Sequence, residues 1–295
     1  MYELIRAGER TWYINCPAKM GIFQLEDGNV CLIDSGNDKD AGKKVMKILD
    51  ANGWKLQMII NTHSHADHIG GNRLLQERTG CRIYAAGVER ALINHTVLEP
   101  ALLYGGYPCK ELRNKFLLAQ ESAVEELTEE VLPKGLEMLR LDGHSFSMTA
   151  IRTADEVWFL ADCLASETGI EKYHVSFLYD VDGYLKSLEM VKALKGTLFI
   201  PAHADATENI APLAQRNIDK VMEIIGLLKA MCLEPASLEE LQKRIFDHYD
   251  LAMDFNQYVL VGSTLRSYLS YLHDKKEMEV VFEGNRLLFQ TVTVL

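Results

Sequence analysis

The chain has 295 residues, of which 48% are hydrophobic and 25% are charged. This composition excludes a disordered or fibrous protein, and the length suffices to bury a core without disulfides. No stretch approaches the roughly 18 uninterrupted apolar residues of a membrane-spanning helix, so we expect no membrane partner. The net charge of −11 disfavours nucleic acid and favours a small-molecule substrate as partner.

The cysteines and the opening residues indicate the compartment. The six cysteines lie far apart and form no C-x-x-C pair, which suits reduced, buried thiols rather than a disulfide framework or zinc knuckle. The opening residues show no basic region followed by an apolar run, so no secretory signal is expected. We therefore expect a cytoplasmic protein. The oligomeric state stays open, with a homodimer as one alternative.

The first 94 residues alternate between strand and helix patterns. Residues 95–132 break this alternation with Pro100 and a Tyr-Gly-Gly-Tyr-Pro cluster, and they include a predicted helix over 111–127. Long irregular segments in compact domains are usually functional, so we expect this insertion to cap a pocket. The other elements predicted here are strands over 11–15, 21–25, 30–33, 56–61 and 82–84, and helices over 40–52, from about 71 and from about 88.

Strand patterns resume after the insertion, and the chain then changes to helices at residue 211. Three helices followed by a hairpin resemble a winged-helix unit, so we predict a larger first domain over 1–210 and a small helical domain over 211–295. Ser237 with Glu240 is a capping box for the second of these helices. The predicted strands cover 136–141, 146–151, 157–160 and 197–200, the helices 211–231, 238–249 and 256–273, and the hairpin 279–282 and 286–292.

The sequence T-H-S-H-A-D-H, from Thr62 to His68, holds three of the nine histidines and one carboxylate. It follows a predicted buried strand, where a rigid scaffold presents side chains to a site. Imidazole and carboxylate groups bind zinc and related first-row metals. Three further candidates, His144, Asp162 and His203, each come just after a predicted strand.

The order of these residues, H-x-H-x-D-H followed by Gly-His, a strand-end Asp and a strand-end His, resembles the metallo-β-lactamase superfamily over roughly residues 11–210. The resemblance implies an α/β (α+β) fold, an αββα sandwich with its site at one edge of two sheets. It implies two divalent metal ions; we expect zinc, with iron or manganese as alternatives. In the implied assignment, His63, His65 and His144 bind the first metal, Asp67, His68 and His203 bind the second, Asp162 bridges both, and Asp34 supports the ligands from behind.

Such a centre generates a nucleophile at neutral pH, because metal coordination lowers the pKa of water from about 15.7 to about 7. A metal-bridging hydroxide would attack the substrate, and Asp67 has a second, catalytic role in orienting it. We therefore predict a metal-dependent hydrolase that acts on a small thioester, ester or lactone. Candidate substrate residues are Tyr104 and Tyr107 of the insertion, and Lys172 and Tyr173, which resemble the glutathione-binding Lys and Tyr of glyoxalase II-like thioesterases.

The sequence departs from the family pattern at three positions. His144 is followed by Ser145-Phe146-Ser147 rather than a Pro-Gly-like turn, which affects the expected loop shape and not the ligation. Cys163 follows the bridging Asp162 and replaces no ligand. His65 stands where the di-iron oxygen-reducing branch carries Glu, which favours zinc and hydrolysis.

Three alternatives stay open. The first alternative is an endoribonuclease or phosphodiesterase, because a mitochondrial branch of the same superfamily with a similar C-terminal unit cleaves single-stranded RNA. A di-iron oxidoreductase is the second. The third is a regulator that binds DNA through residues 211–295, but these contain nine Lys and Arg against twelve Asp and Glu. The third helix carries only Arg266, whereas a DNA-reading helix needs several basic groups.

Overall fold

The computed structural model describes residues 2–292, and its first sheet has seven strands in chain order. The first four strands pair antiparallel, and the fourth to the seventh run parallel. The sequence patterns missed the first and last strands. The seven are β1 (Glu3–Arg6), β2 (Thr11–Asn15), β3 (Met20–Gln24), β4 (Asn29–Ile33), β5 (Lys55–Asn61), β6 (Arg82–Ala85) and β7 (Val124–Glu126).

The second sheet has four strands, in the spatial order β11, β10, β9, β8. Its pairs are antiparallel except for β10 and β11, which run parallel. One strand predicted over 146–151 begins later, at Thr149, because the preceding serines are held in a loop. The strands are β8 (Leu136–Arg140), β9 (Thr149–Thr153), β10 (Val157–Ala161) and β11 (Leu198–Pro201).

Helices cover the outer faces of both sheets, since parallel strands need crossover connections that return over a face. Within residues 2–292, no helix combines the length and apolarity that crossing a bilayer requires. The helices are α1 (Lys39–Asn52), α2 (Ala66–Ile69), α3 (Asn72–Thr79), α4 (Gly87–Asn94), α5 (Leu98–Tyr104), α6 (Glu167–Tyr173), α7 (Val181–Ala193), α8 (Ala211–Met231), α9 (Leu238–His248) and α10 (Phe255–Asp274).

The core has three hydrophobic layers that follow the strand alternation. In β4, Cys31 and Ile33 face the second sheet, while Val30 and Leu32 face α1 and α3. Alternate side chains of a strand point to opposite faces, so a strand buried on both faces is apolar at every position. The third layer lies between the second sheet and α7 to α10. This arrangement confirms the predicted sandwich of helices, two sheets and helices.

The C-terminal helices end in a hairpin formed by β12 (Met278–Glu283) and β13 (Arg286–Thr291), as predicted. Leu228 of α8 and Leu265 of α10 belong to the same hydrophobic cluster as Leu160 of β10. The C-terminal unit therefore packs on the second sheet through a continuous core. Its winged-helix character stays a resemblance, and the boundary at residue 210 stays a prediction.

The helix predicted over 111–127 is wrong. The structure has a 3₁₀ turn at Lys110–Leu112, an irregular segment and then the edge strand β7. The side chain of Asn114 closes a local turn, because its amide donates to the carbonyl of Glu111 and its oxygen accepts from the N–H of Phe116. Such side-chain-to-backbone hydrogen bonds compete with helix formation, and pairing with β6 then fixes β7.

The glycine pair after the His-rich segment permits close packing of the backbone. Gly70 and Gly71 both have helical backbone angles. An added Cβ would lie 2.3 Å from the carbonyl carbon of Asn37 at the first position and 2.4 Å from the carbonyl oxygen of Ser35 at the second. These glycines therefore allow two backbone segments to approach each other behind the site.

We predict opposite effects for two glycine-to-alanine substitutions. Gly71→Ala lowers the free energy of unfolding by about 1–3 kcal/mol, because backbone atoms must move to admit the methyl group. Gly226→Ala, at an open position in α8, raises it by about 0.5–1 kcal/mol through better helix propensity. Urea denaturation of both variants measures these changes. Equal effects at the two positions would contradict the close approach at Gly71.

Candidate metal centre

The His-rich segment leaves the end of β5 and enters the short helix α2. His63 and His68 are fully buried, whereas His65 is half-buried and is the N-cap residue of α2. The N–H of His68 donates to the carbonyl of His65 at 2.9 Å, which closes the turn. This tight turn directs the side chains of the segment toward the edge of both sheets.

The remaining candidate ligands come from the second sheet. Asp162 directly follows β10, and His203 follows β11. His144 lies in the loop between β8 and β9, after Gly143. Gly143 has a φ of +115°, and an added Cβ there would lie 2.1 Å from the backbone nitrogen of Tyr184. Glycine is thus required at this position for the loop to bring His144 to the site.

The seven predicted ligands come together as two groups that share Asp162. In each group the potential ligand atoms all lie within 4.8 Å of one another. The first group is His63, His65, His144 and Asp162, and the second is Asp67, His68, Asp162 and His203.

Three buried atoms of these groups have no hydrogen-bond partner among the described residues: Nε2 of His63, Nε2 of His68 and Oδ1 of Asp162. The last two are 3.0 Å apart without hydrogen-bond alignment. A buried polar atom without a partner destabilises the fold by about 1–3 kcal/mol, so its presence needs an explanation. One divalent cation in each group, with Asp162 shared between them, would give all three atoms a partner. Imidazole nitrogen and carboxylate oxygen are donors that suit zinc, iron or manganese.

Hydrogen bonds behind the ligands fix the orientation of the rings. Asp34 has a φ of +60° just after β4, and its Oδ2 accepts from Nδ1 of His68 at 2.8 Å. Thr62 donates to the same carboxylate through its N–H and its hydroxyl. Nδ1 of His203 donates to the carbonyl of Pro17 at 2.8 Å. These bonds leave Nε2 of each imidazole directed at the site, as partners of metal-binding histidines do.

The histidines of the first group favour the neutral form. Burial lowers the pKa of His65 to about 4 and that of His144 to about 3. Burial also moves the pKa of His63 well below its ordinary value. A neutral imidazole presents a lone pair, which is the form that binds a metal.

The second group carries ion pairs. Burial opposes charge on His68, but Asp162 and Asp34 raise its pKa well above the ordinary value. Asp162 raises the pKa of His203 to about 10. Burial alone would raise the pKa of Asp67. The charges of His68 and His203 outweigh this effect and lower the pKa to about 2. Both carboxylates are therefore ionised at neutral pH.

The buried carboxylate of Glu89, on α4, links the two ligand loops. One oxygen accepts from the N–H of Ser64 at 3.0 Å, and the other accepts from the N–H of Ser147 at 2.7 Å and from the hydroxyl of Ser145. Ser64 lies inside the His-rich segment, and Ser145 directly follows His144. Sequence analysis missed this residue, since a single Glu in a helix normally faces solvent and no spacing connects it to the ligands.

Five of the seven candidate ligands, all except the fully buried His63 and His68, line a cavity of about 640 Å³. Lys172 and Tyr173 line it, together with Leu103 and Phe116 of the 95–132 segment. The C-terminal unit also contributes, through Leu260 and other residues of α10. Lys172 is the sole lysine or arginine that lines the cavity as the structure describes it.

The two tyrosines predicted for the pocket lie outside it. Tyr107 is 75% exposed, and Tyr104 is directed toward the ring of Phe255. Sequence analysis missed two cavity residues, Phe177 and Glu99. The ring of Phe177 contacts His65 edge-on, and burial, followed by the charge of Asp67, raises the pKa of Glu99 well above its ordinary value.

A family model of the metallo-beta-lactamase superfamily matches residues 16–203. The match covers more than half of the chain and includes all seven candidate ligands. The chain therefore belongs to the metallo-β-lactamase superfamily.

Curated relatives match shorter segments. A hydroxyacylglutathione hydrolase from Methylococcus capsulatus is 48% identical over 73 residues, which cover 22% of this chain and 28% of that protein. A probable metallo-hydrolase from Methanocaldococcus jannaschii is 31% identical over 111 residues, which cover 36% of this chain and 50% of that protein. The chain thus spans half or less of the length of these relatives.

Solved structures show the same fold over nearly the whole chain. A beta-lactamase domain protein from Burkholderia ambifaria superimposes with a TM-score of 0.75 at 16% identity, covering 98% of this chain and 94% of its own. A metallo-beta-lactamase family protein from Thermus thermophilus has a TM-score of 0.71 at 15% identity, covering 99% and 98%. The C-terminal helices are therefore part of the shared fold.

We predict that Glu89→Gln lowers the free energy of unfolding by about 2–3 kcal/mol, because an amide nitrogen then faces backbone donors in a buried position. Chemical denaturation measures the loss, and Glu130→Gln, at an exposed position, is the matched control. A change below about 0.5 kcal/mol, the level of an ordinary surface substitution, would show that Glu89 does not hold the two loops together.

Metal uptake should release protons at pH 7. His68 and His203 have raised pKa values and are protonated in the metal-free protein, whereas metal ligation requires neutral imidazole. These two residues therefore release about two protons per chain, in addition to the proton lost by a metal-bound water. Calorimetric titration with zinc in two buffers of different ionisation enthalpy measures this number. It falls by about one in His203→Ala, and the His203 contribution fades as the pH rises through about 10. Uptake without proton release at pH 7 would contradict the ion-paired second group.

Proposed function

We propose that the protein is a dinuclear metal-dependent hydrolase of small thioester, ester or lactone substrates. One observation carries the proposal: two ligand groups share Asp162 beside a cavity and present buried atoms that have no hydrogen-bond partner among the described residues. The name of the Methylococcus capsulatus relative, a hydroxyacylglutathione hydrolase, supports a thioester as the first of these substrates to test.

In this proposal each ligand group holds one metal ion. His63, His65 and His144 would hold the first ion, the remaining three ligands the second, and Asp162 both. When bound, divalent cations of this kind supply a nucleophile at neutral pH and polarise a carbonyl oxygen. We expect zinc here, with iron or manganese as alternatives, because the same donors accept all three.

The chain's own residues then position the reacting groups. Asp67 is ionised and half-exposed at the cavity floor, so its carboxylate is placed to accept a proton from an attacking water. Phe177 covers the rings of His65 and His144 and limits the access of bulk water from that side. A drier site strengthens the electrostatic interactions inside it.

Lys172 and Tyr173 are placed to bind the polar part of the substrate. Lys172 lies 4.8 Å from the centre of the Tyr173 ring and has no ion pair among residues 2–292. A cation without a carboxylate partner is available to an anionic group of the leaving portion. A single Lys is too few cations for a nucleic-acid strand, which needs several phosphate contacts. RNA is therefore included in the test as a substrate whose cleavage would count against the proposal.

The test combines metal analysis with a substrate panel of thioesters, lactones, bis(p-nitrophenyl) phosphate and short RNA. We expect two metal ions per chain and hydrolysis of a carbonyl substrate. Asp162→Asn should lower kcat/KM by roughly 10³-fold or more, because it removes the shared ligand, and Asp67→Asn should lower kcat with smaller loss of metal. Asp274→Asn, on an exposed helix end, is the control.

Other outcomes would replace the proposal. Cleavage of RNA or the phosphodiester alone would show a nuclease, and tightly bound iron without hydrolysis would show redox chemistry. Protein without metal after metal-replete preparation would remove the basis of the ligand assignment.

A further inference from the structure

The cavity lining divides into two chemically different walls. The residues that α6 and its cap contribute are mainly polar, whereas those from the 95–132 segment and α10 are mainly apolar. We call the first set the polar wall: Ser166, Thr168, Lys172 and Tyr173. We call the second set the apolar wall: Leu103, Phe116, Leu117, Leu260 and Val261.

The apolar wall is held in place by packing within the protein. Leu103 and Leu117 belong to a buried cluster with Val259 of α10, and Leu260 packs against it. The amide of Asn114 donates to the side chain of Asn256 at 3.0 Å, which joins the segment to the start of α10. Because packing already holds these side chains in place, they lose little conformational entropy when a ligand binds.

The wall nevertheless leaves apolar surface unburied. Phe116 is 68% exposed, and Leu260 is only half-buried although it adjoins a hydrophobic cluster. Apolar side chains gathered on one side of a cavity gain free energy when an apolar ligand covers them. The candidate ligands His65 and Asp67 line the same cavity, so a group lying on this wall is connected to the reacting centre.

We propose that the acyl part of the substrate is an aliphatic chain of roughly six to ten carbons that lies on the apolar wall. The carbonyl reaches the metal ligands, and the leaving portion lies along the polar wall. This inference rests on the proposed function, and it narrows the substrate class to medium-chain acyl thioesters or esters. The hydrolysis adds water across the acyl–sulfur or acyl–oxygen bond and yields the carboxylic acid and the thiol or alcohol.

The test uses a series of S-acyl-N-acetylcysteamine thioesters with acyl chains from acetyl to dodecanoyl. Each methylene that the wall covers should raise kcat/KM by about fourfold, until the chain exceeds the wall. Leu260→Asn, which keeps the side-chain size, should lower kcat/KM for the octanoyl substrate about tenfold and change the acetyl substrate less than twofold. Leu233→Asn, at an exposed leucine outside the cavity, should leave the series unchanged.

A binding measurement separates this inference from the proposed hydrolysis. Calorimetry with the non-hydrolysable thioethers S-octyl- and S-ethyl-N-acetylcysteamine needs no turnover. Tighter binding of the octyl compound to the wild-type chain, reduced in Leu260→Asn, supports the apolar wall even if no thioester is hydrolysed. Equal binding of the two thioethers, or hydrolysis that does not vary with chain length, overturns the inference and leaves the hydrolase proposal standing.

Discussion

The carboxylate of Asp162 is the group on which the rest of the site depends. It belongs to both ligand groups, and it accounts for the raised pKa of His203 to about 10. A buried carboxylate is unfavourable unless positive groups surround it. In this chain the imidazoles of His68 and His203 meet that need from two sides. A bound metal cation would replace the positive charge that these two imidazoles supply to the carboxylate.

The surrounding structure holds this charged cluster in place from two sheets. The first sheet contributes Asp34 and the His-rich segment, and the second contributes Asp162 and His203. Glu89 connects the two halves through backbone and hydroxyl donors. Because both sheets share a close-packed core, a shift of either sheet would misplace ligands, so fold stability and site geometry are coupled.

The C-terminal helices belong to the same functional unit as the sandwich. Leu260 of α10 lines the cavity, while Leu265 of the same helix lies in the core cluster of the second sheet. One helix thus packs against the core on one face and lines the cavity on another. Solved structures that share the fold cover these helices as well.

The sequence by itself determined most of the strands, the C-terminal helices, the His-rich segment and the strand-end residues Asp162 and His203, because these depend on local periodicity and on residue chemistry. The sequence patterns missed Glu89, because its role depends on hydrogen-bond donors that lie far away in the chain. They also predicted a helix over 111–127, where pairing with β6 instead fixes a strand. Only the tertiary structure decided which side chains line the cavity. Side-chain direction in an irregular segment follows from packing against α10, which no local pattern records.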